Sequence, residues 1–300
     1  MDITERKLQE ISGSLLITVP KPWAKSFHLH KGSKIQLTTT KNGTLSISPK
    51  LIEKEKKEET LINYDQYFIR NFFRQYFLGY EKITIKFDKK TKEQQMNVYQ
   101  VLKRFMNVQV IEETENKIVV KSFRIEELSI RECLNRMHFL SLNIIDEVLS
   151  NNNQEILKEI SENVTRFYYM LVMQVRRFVD EGRFTEQNQI SLLHALDCRM
   201  VAEKIKRITE SMESFSLLKN KKINELMKEI KKHYSKGYQY FYNNEYDKAI
   251  RLGNDEKRLK KEVREILEEA ENHRNITNYK HVNTILTIIE YSRNISMLTR

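Results

Sequence analysis

The sequence predicts a mainly α protein with an α+β N-terminal part, and three observations carry that prediction. All three prolines (Pro20, Pro22, Pro49) and three of the seven glycines fall within the first 50 of 300 residues. After residue 50 no proline interrupts the chain, which permits long helices. From about residue 126 onward, apolar side chains recur every three or four positions, the period of a helix face. Two kinds of chain are joined end to end.

Residues 1–50 read as short strands and one short helix. Leu15–Val19 is a compact apolar run stopped by Pro20. Pro22-Trp23-Ala24-Lys25 suggests a short helix with proline in its first turn, where a missing N–H costs little. Lys31-Gly32-Ser33 is a turn. Lys34–Thr39 and Thr44–Ser48 alternate apolar and polar residues on either side of Asn42-Gly43, a strong hairpin signal. So few apolar positions cannot easily close a core within one copy, and dimerisation would supply the missing surface.

Residues 51–60 read as a charged linker, built around the mixed run Glu53–Glu59. Residues 61–125 then look like a small α/β region. An aromatic-rich helical segment, Tyr64–Leu78, leads through Gly79 to a strand marked by Ile83, Ile85 and Phe87. A helix over Thr91–Met106 follows, then a hairpin in which Val108/Val110 and Ile118/Val120 alternate. Tyr67, Phe68, Phe72, Phe73, Tyr76 and Phe77 could stack on bases, but their helical spacing points to packing instead.

From 126 to 300 the stripe Ile156, Ile160, Val164, Phe167, Leu171, Val175, Phe178 has helical steps. Val201, Ile205, Ile208, Met212, Phe215 and Leu259, Val263, Ile266, Ala270 repeat the pattern. Breaks near Asn151–Asn153, Gly182-Arg183, Ser214–Lys219, Asn243-Asn244 and Asn272–Thr277 divide the segment into six helices. They group as two sets of three, about 126–215 and 216–300, with Asp197 and Glu290 at matching points of the third helices.

Composition excludes several classes. The longest apolar runs, such as Tyr168–Met173, are far short of the ~20 residues of a membrane span. The first residues carry no charged-then-apolar leader, so a cytoplasmic location is expected. Two cysteines, Cys133 and Cys198, make neither a disulfide framework nor a four-thiolate zinc site, and both read as packed thiols. No glycine-rich phosphate loop and no recognisable nucleophile motif is present, so neither enzyme activity nor a cofactor is expected. His28 and His30 lack further ligands at metal spacing, and the helical histidines His138, His194, His233, His273 and His281 read as polar helix faces.

Charge is the remaining signal. The net charge is +11; eight Lys/Arg against three Asp/Glu give residues 1–50 a net +5, leaving +6 for the other 250. Arg6, Lys7, Lys21, Lys25, Lys31 and Lys34 lie beside strands and turns, from which they could converge on phosphates. Arg6 could also make a bidentate guanine contact.

The stretch "GSLLITVPKPWAKSFHLHKGSKIQL" and the hairpin after it resemble the SpoVT/AbrB swapped-hairpin DNA-binding domain over roughly residues 4–49. The resemblance implies that two chains interleave hairpins into one barrel, with Arg6, Lys7, Lys21 and Lys25 in the basic loops that face DNA. The helical half resembles the PhoU family of phosphate-uptake regulators, built from two three-helix repeats. Head, α/β middle ("FLGYEKITI", "VIEET") and bundle together resemble archaeal PhoU-like regulators. PhoU repeats carry a Glu-x-x-x-Asp pair on each third helix for metal clusters; here Asp197 is followed by Val201 and Glu290 by Asn294, one carboxylate each.

The expected function is therefore a homodimeric regulator that binds double-stranded DNA and controls phosphate uptake, with a bundle that senses a ligand or partner. The alternative is an adaptor acting on a phosphate transporter or signalling protein through the bundle. A third reading is a metal-binding bundle at Asp197 and Glu290.

Overall fold

The computed structural model describes residues 5–39, 45–49, 58–123, 128–181, 190–213, 215, 221–272 and 276–300. The Asn42-Gly43 turn, the charged run up to 57, Gly182-Arg183 and His273 lie outside these residues. The chain divides into two compact units, Met1–Glu58 and Glu59–Arg300.

In the first unit β1 (Gln9–Ile11) and β2 (Ser14–Leu16) form an antiparallel hairpin with Ile11 opposite Ser14. Its two-residue turn, Ser12-Gly13, takes positive φ at both positions (52° and 78°), the geometry that matches strand twist and favours glycine. The strand read over Leu15–Val19 thus begins at Ser14 and ends at Leu16. α1 (Lys21–Ser26) follows, with Pro22 in its first turn and Trp23 packed on Phe27, ring centroids 5.5 Å apart. β3 (Ile35–Thr39) and β4 (Leu45–Pro49) pair antiparallel with Leu37 opposite Ile47.

The second unit opens with a four-stranded sheet. β5 (Glu59–Asn63), α2 (Phe68–Leu78), β6 (Lys82–Lys86), α3 (Lys92–Leu102), β7 (Val108–Glu113) and β8 (Lys117–Ser122) give the strand order β5-β6-β8-β7. β5 runs parallel to β6, and the other neighbours are antiparallel. The linker reading of 51–60 therefore runs too far, since Glu59 and Thr60 already belong to β5. The helix read from Tyr64 starts at Phe68; Tyr64 instead stacks between Phe68 and Phe87, with ring centroids 4.9 and 5.0 Å away. Phe68, Phe72 and Tyr76 are buried, and Phe73 and Phe77 pack against them, so these aromatics serve the core; Tyr67 alone of the six is well exposed. A Thr91–Gln94 capping box starts α3.

Six long helices complete this unit among the described residues: α4 (Ile130–Ser150), α5 (Gln154–Glu181), α6 (Leu192–Glu213), α7 (Lys221–Asn243), α8 (Tyr246–Asn272) and α9 (Ile276–Ser296). A Ser129–Glu132 capping box begins α4. Asn153 begins α5 by accepting from the backbone N–H groups of Glu155 (3.0 Å) and Ile156 (3.4 Å). α4, α5 and α6 pack on one another, as do α7, α8 and α9. The two sets meet through corresponding members, α4 with α7 and α6 with α9. Tyr169 of α5 lies against Phe73 and Phe105 (5.2 and 5.3 Å), joining the bundle to the α/β layer.

Polar pairs recur along the α4–α7 seam. Arg131 sits over the Tyr242 ring (4.3 Å), the Tyr238 hydroxyl donates to Asn135 (2.6 Å), and Ser141 shares a hydrogen bond with Tyr234 (2.6 Å). Lys231 pairs with Asp146 (2.5 Å), and His138 stacks on Tyr238 at 3.8 Å. His138 and His233 are buried, which corrects their reading as polar helix faces. Both occupy apolar-stripe positions, His138 between Leu134 and Ser141 and His233 between Ile230 and Gly237.

Candidate nucleic-acid interface

All six cations proposed from the sequence are exposed in the N-terminal unit. Lys21 opens α1 and Lys25 stands four residues later, so the two share one side of that helix. Lys31 lies in the turn with Gly32 (φ 87°), and Lys34 immediately precedes β3. Arg6 and Lys7 precede β1, where the Arg6 guanidinium donates to the Glu5 carbonyl at 3.2 Å. None of the six forms an ion pair among the described residues, and no hydrogen bond joins the Arg6–Lys7 pair to the α1 lysines. One copy thus presents two cation groups, one before β1 and one running from α1 to β3.

The same unit leaves its apolar side chains in water. No described residue in 5–58 is buried, and Leu8 (62%), Ile11, Leu15 (70%), Ile17, Leu37 and Leu45 are exposed. Unpaired cations beside an uncovered apolar set can contact phosphates while a second surface closes the core. His28 and His30 are exposed too, His30 Nδ1 lying 3.3 Å from the His28 carbonyl.

The helical carboxylates behave differently from one another. Asp197, on α6, accepts from Arg300 Nε (2.9 Å) and Nη2 (2.6 Å), an ion pair that spans the two helix sets. Glu290, on α9, is exposed. Val201 is fully buried, and no group of three His, Cys, Asp or Glu that could hold a metal ion occurs among the described residues. Asp197 is thus occupied by Arg300, and the residue one turn later on α6, Val201, is apolar. Burial pushes the thiols of Cys133 and Cys198 up to about 12, leaving them packed and protonated.

Two cationic features escaped sequence reading because they depend on which strands and helices become neighbours. One is the face of the β6–β8 pair opposite the core residues Ile83, Ile85, Ile118 and Val120. The other is a groove of about 710 Å³ between α4 and α7, lined by Leu142, Asp146 and Leu149 opposite Lys228, Lys231 and Lys232.

No protein-family model, curated protein or solved structure matches this chain. No described helix is long and apolar enough to cross a membrane.

Proposed function

We propose that the chain is a homodimeric regulator that binds double-stranded DNA through its first 50 residues and uses the helical bundle to sense an effector or partner. The observation that carries this reading is the N-terminal unit: six exposed cations without ion pairs stand beside apolar side chains that one copy leaves uncovered. A second copy interleaving its hairpins would bury Leu15, Ile17 and Leu37 and double the cations on one surface, as the resemblance to swapped-hairpin heads implies. The two packed three-helix sets support the PhoU-like reading of the bundle, and control of phosphate uptake follows from that resemblance.

The test is duplex DNA binding by the full chain, followed by fluorescence anisotropy across salt. Roughly eight phosphate contacts from two copies of Arg6, Lys7, Lys21 and Lys25 cost about 10³–10⁵ in affinity between ~50 and ~200 mM salt. Lys21→Ala and Lys25→Ala each flatten the salt slope by about 1 to 2 and weaken all sequences alike. Arg6→Ala also blurs sequence preference where that side chain reaches a guanine. Absence of DNA retention at ~50 mM salt overturns the reading.

The groove between α4 and α7 favours the adaptor as second reading, since it places lysines opposite leucines where an acidic helix from a transporter or signalling protein would fit. Under that reading, DNA binding is absent and Lys228→Glu abolishes partner binding.

A further inference from the structure

Side chains alternate between the two faces of the β6–β8 pair. Ile83, Ile85, Ile118 and Val120 point into the core formed with α2 and α3. The opposite face therefore carries Lys82, Thr84 and Lys86 on β6 and Lys117, Val119 and Lys121 on β8. The register sets Lys82 directly opposite Lys121 and Lys86 directly opposite Lys117, with Thr84 and Val119 between.

Like charges directly opposite each other destabilise an antiparallel pair, and here two such pairs stand four residues apart. Glu59 on β5 relieves Lys82 (2.7 Å), and Glu112 on β7 relieves Lys117 (2.6 Å). Lys86 and Lys121 are exposed and form no ion pair among the described residues; Lys121 lies 5.5 Å over the exposed Phe123 ring. Val119 is only 2% exposed yet belongs to neither hydrophobic cluster. Its position between the lysine pairs lets their hydrocarbon stems cover it while the ammonium groups stay in water.

The geometry points to this sheet face as a sequence-independent binding surface for a nucleic-acid backbone. The two lysine pairs are about 13 Å apart along the strands, comparable to the ~12 Å width of the major groove of duplex DNA. They can therefore reach phosphates on both sides of one groove. An acidic protein is the poorer fit, because protein interfaces centre on apolar or aromatic anchors, and between its lysine pairs this face offers only Thr84 and the already covered Val119. The inference does not rest on the head's binding DNA.

The experiment compares the full chain with Lys86→Ala/Lys121→Ala and, in parallel, with Lys21→Ala/Lys25→Ala, titrating a duplex from ~50 to ~200 mM salt. For the sheet variant we expect a log–log salt slope shallower by about 2 per chain, so that the affinity loss over this range shrinks about tenfold. Its melting temperature stays equal or rises, since two opposed lysine pairs are relieved. Lys86→Arg/Lys121→Arg retains the parent slope, and Lys86→Thr/Lys121→Thr repeats the test with strand-favouring residues. A parental slope in the sheet variant, alongside weakened binding by the head variant, overturns the sheet proposal alone. The reverse pattern leaves the sheet standing and removes the head. No duplex binding by the parent chain at ~50 mM removes both.

Discussion

In residues 59–300 the side chains of Phe72, Leu134 and Tyr234 have no exposure to solvent, whereas in residues 5–58 no described residue is buried and Leu15 keeps most of its surface in water. Both units contain regular elements, so the difference lies in what each can cover. The larger unit wraps helices around helices and closes its own cores. Among the described residues the smaller one has two antiparallel strand pairs and a six-residue helix, none of which buries an apolar side chain. The larger unit closes its cores internally; under the proposed function, a second copy covers what the smaller one leaves exposed.

Four substitutions or conditions probe the self-sufficient half of that contrast. The largest effect is expected for Leu134→Ala, which opens a cavity in the bundle and costs about 2–5 kcal/mol. Thermal unfolding followed by helical circular dichroism measures it, and Leu15→Ala should leave the same transition in place.

Acid comes next. Burial lowers His138 from 6.5 to about 3, so below pH 6.5 the unfolded chain takes up a proton that the folded chain refuses. Stability present above pH 6.5 is lost as pH falls toward 3, on the order of 2 kcal/mol by pH 5. Burial lowers His233 as well and adds to the same trend. Urea unfolding at pH 7 and 5 checks this, and His138→Phe should flatten the difference.

Gly237→Ala tests the approach of α7 to α9, because a Cβ there would lie 2.8 Å from the Ser292 carbonyl oxygen. Shifting that backbone costs about 1–3 kcal/mol in the same unfolding assay. The smallest effect is expected at Glu113, whose carboxylate is held below its usual range chiefly by Lys90, with Tyr99 (2.9 Å) and Gln95 (2.6 Å) also donating to it. Glu113→Gln should cost about 1 kcal/mol at neutral pH. Because ionised Glu113 favours folding, that cost should fade as pH drops through its lowered value.

The helical half was the more legible in sequence because long stripes average over many turns. Val201, Ile205, Ile208 and Met212 are all fully buried, and the break at Asn151–Asn153 lies between the ends of α4 and α5. Short elements carry less signal. β1 has three exposed residues and no alternation, so nothing in its own sequence marked it as a strand. β5 begins inside a charged run and buries only Ile62, which left Glu59 and Thr60 looking like linker. The histidines misled through residue type, since His138 and His233 stand at stripe spacing yet titratable rings are mostly found near water. Among the candidate sites, the head cations were visible as a local charge excess. The opposed lysines of β6 and β8 were not, because Lys82 and Lys121 become neighbours only through strand register.

Light-scattering mass of the full chain, beside Leu15→Asp/Ile17→Asp, tests the central claim most directly. The account predicts a parent chain at twice its own mass at micromolar concentration. The variant, with carboxylates in the surface the second copy would cover, should run at the mass of one chain with unchanged bundle helicity. A parent chain at the mass of one copy, or a variant that remains paired, would contradict it.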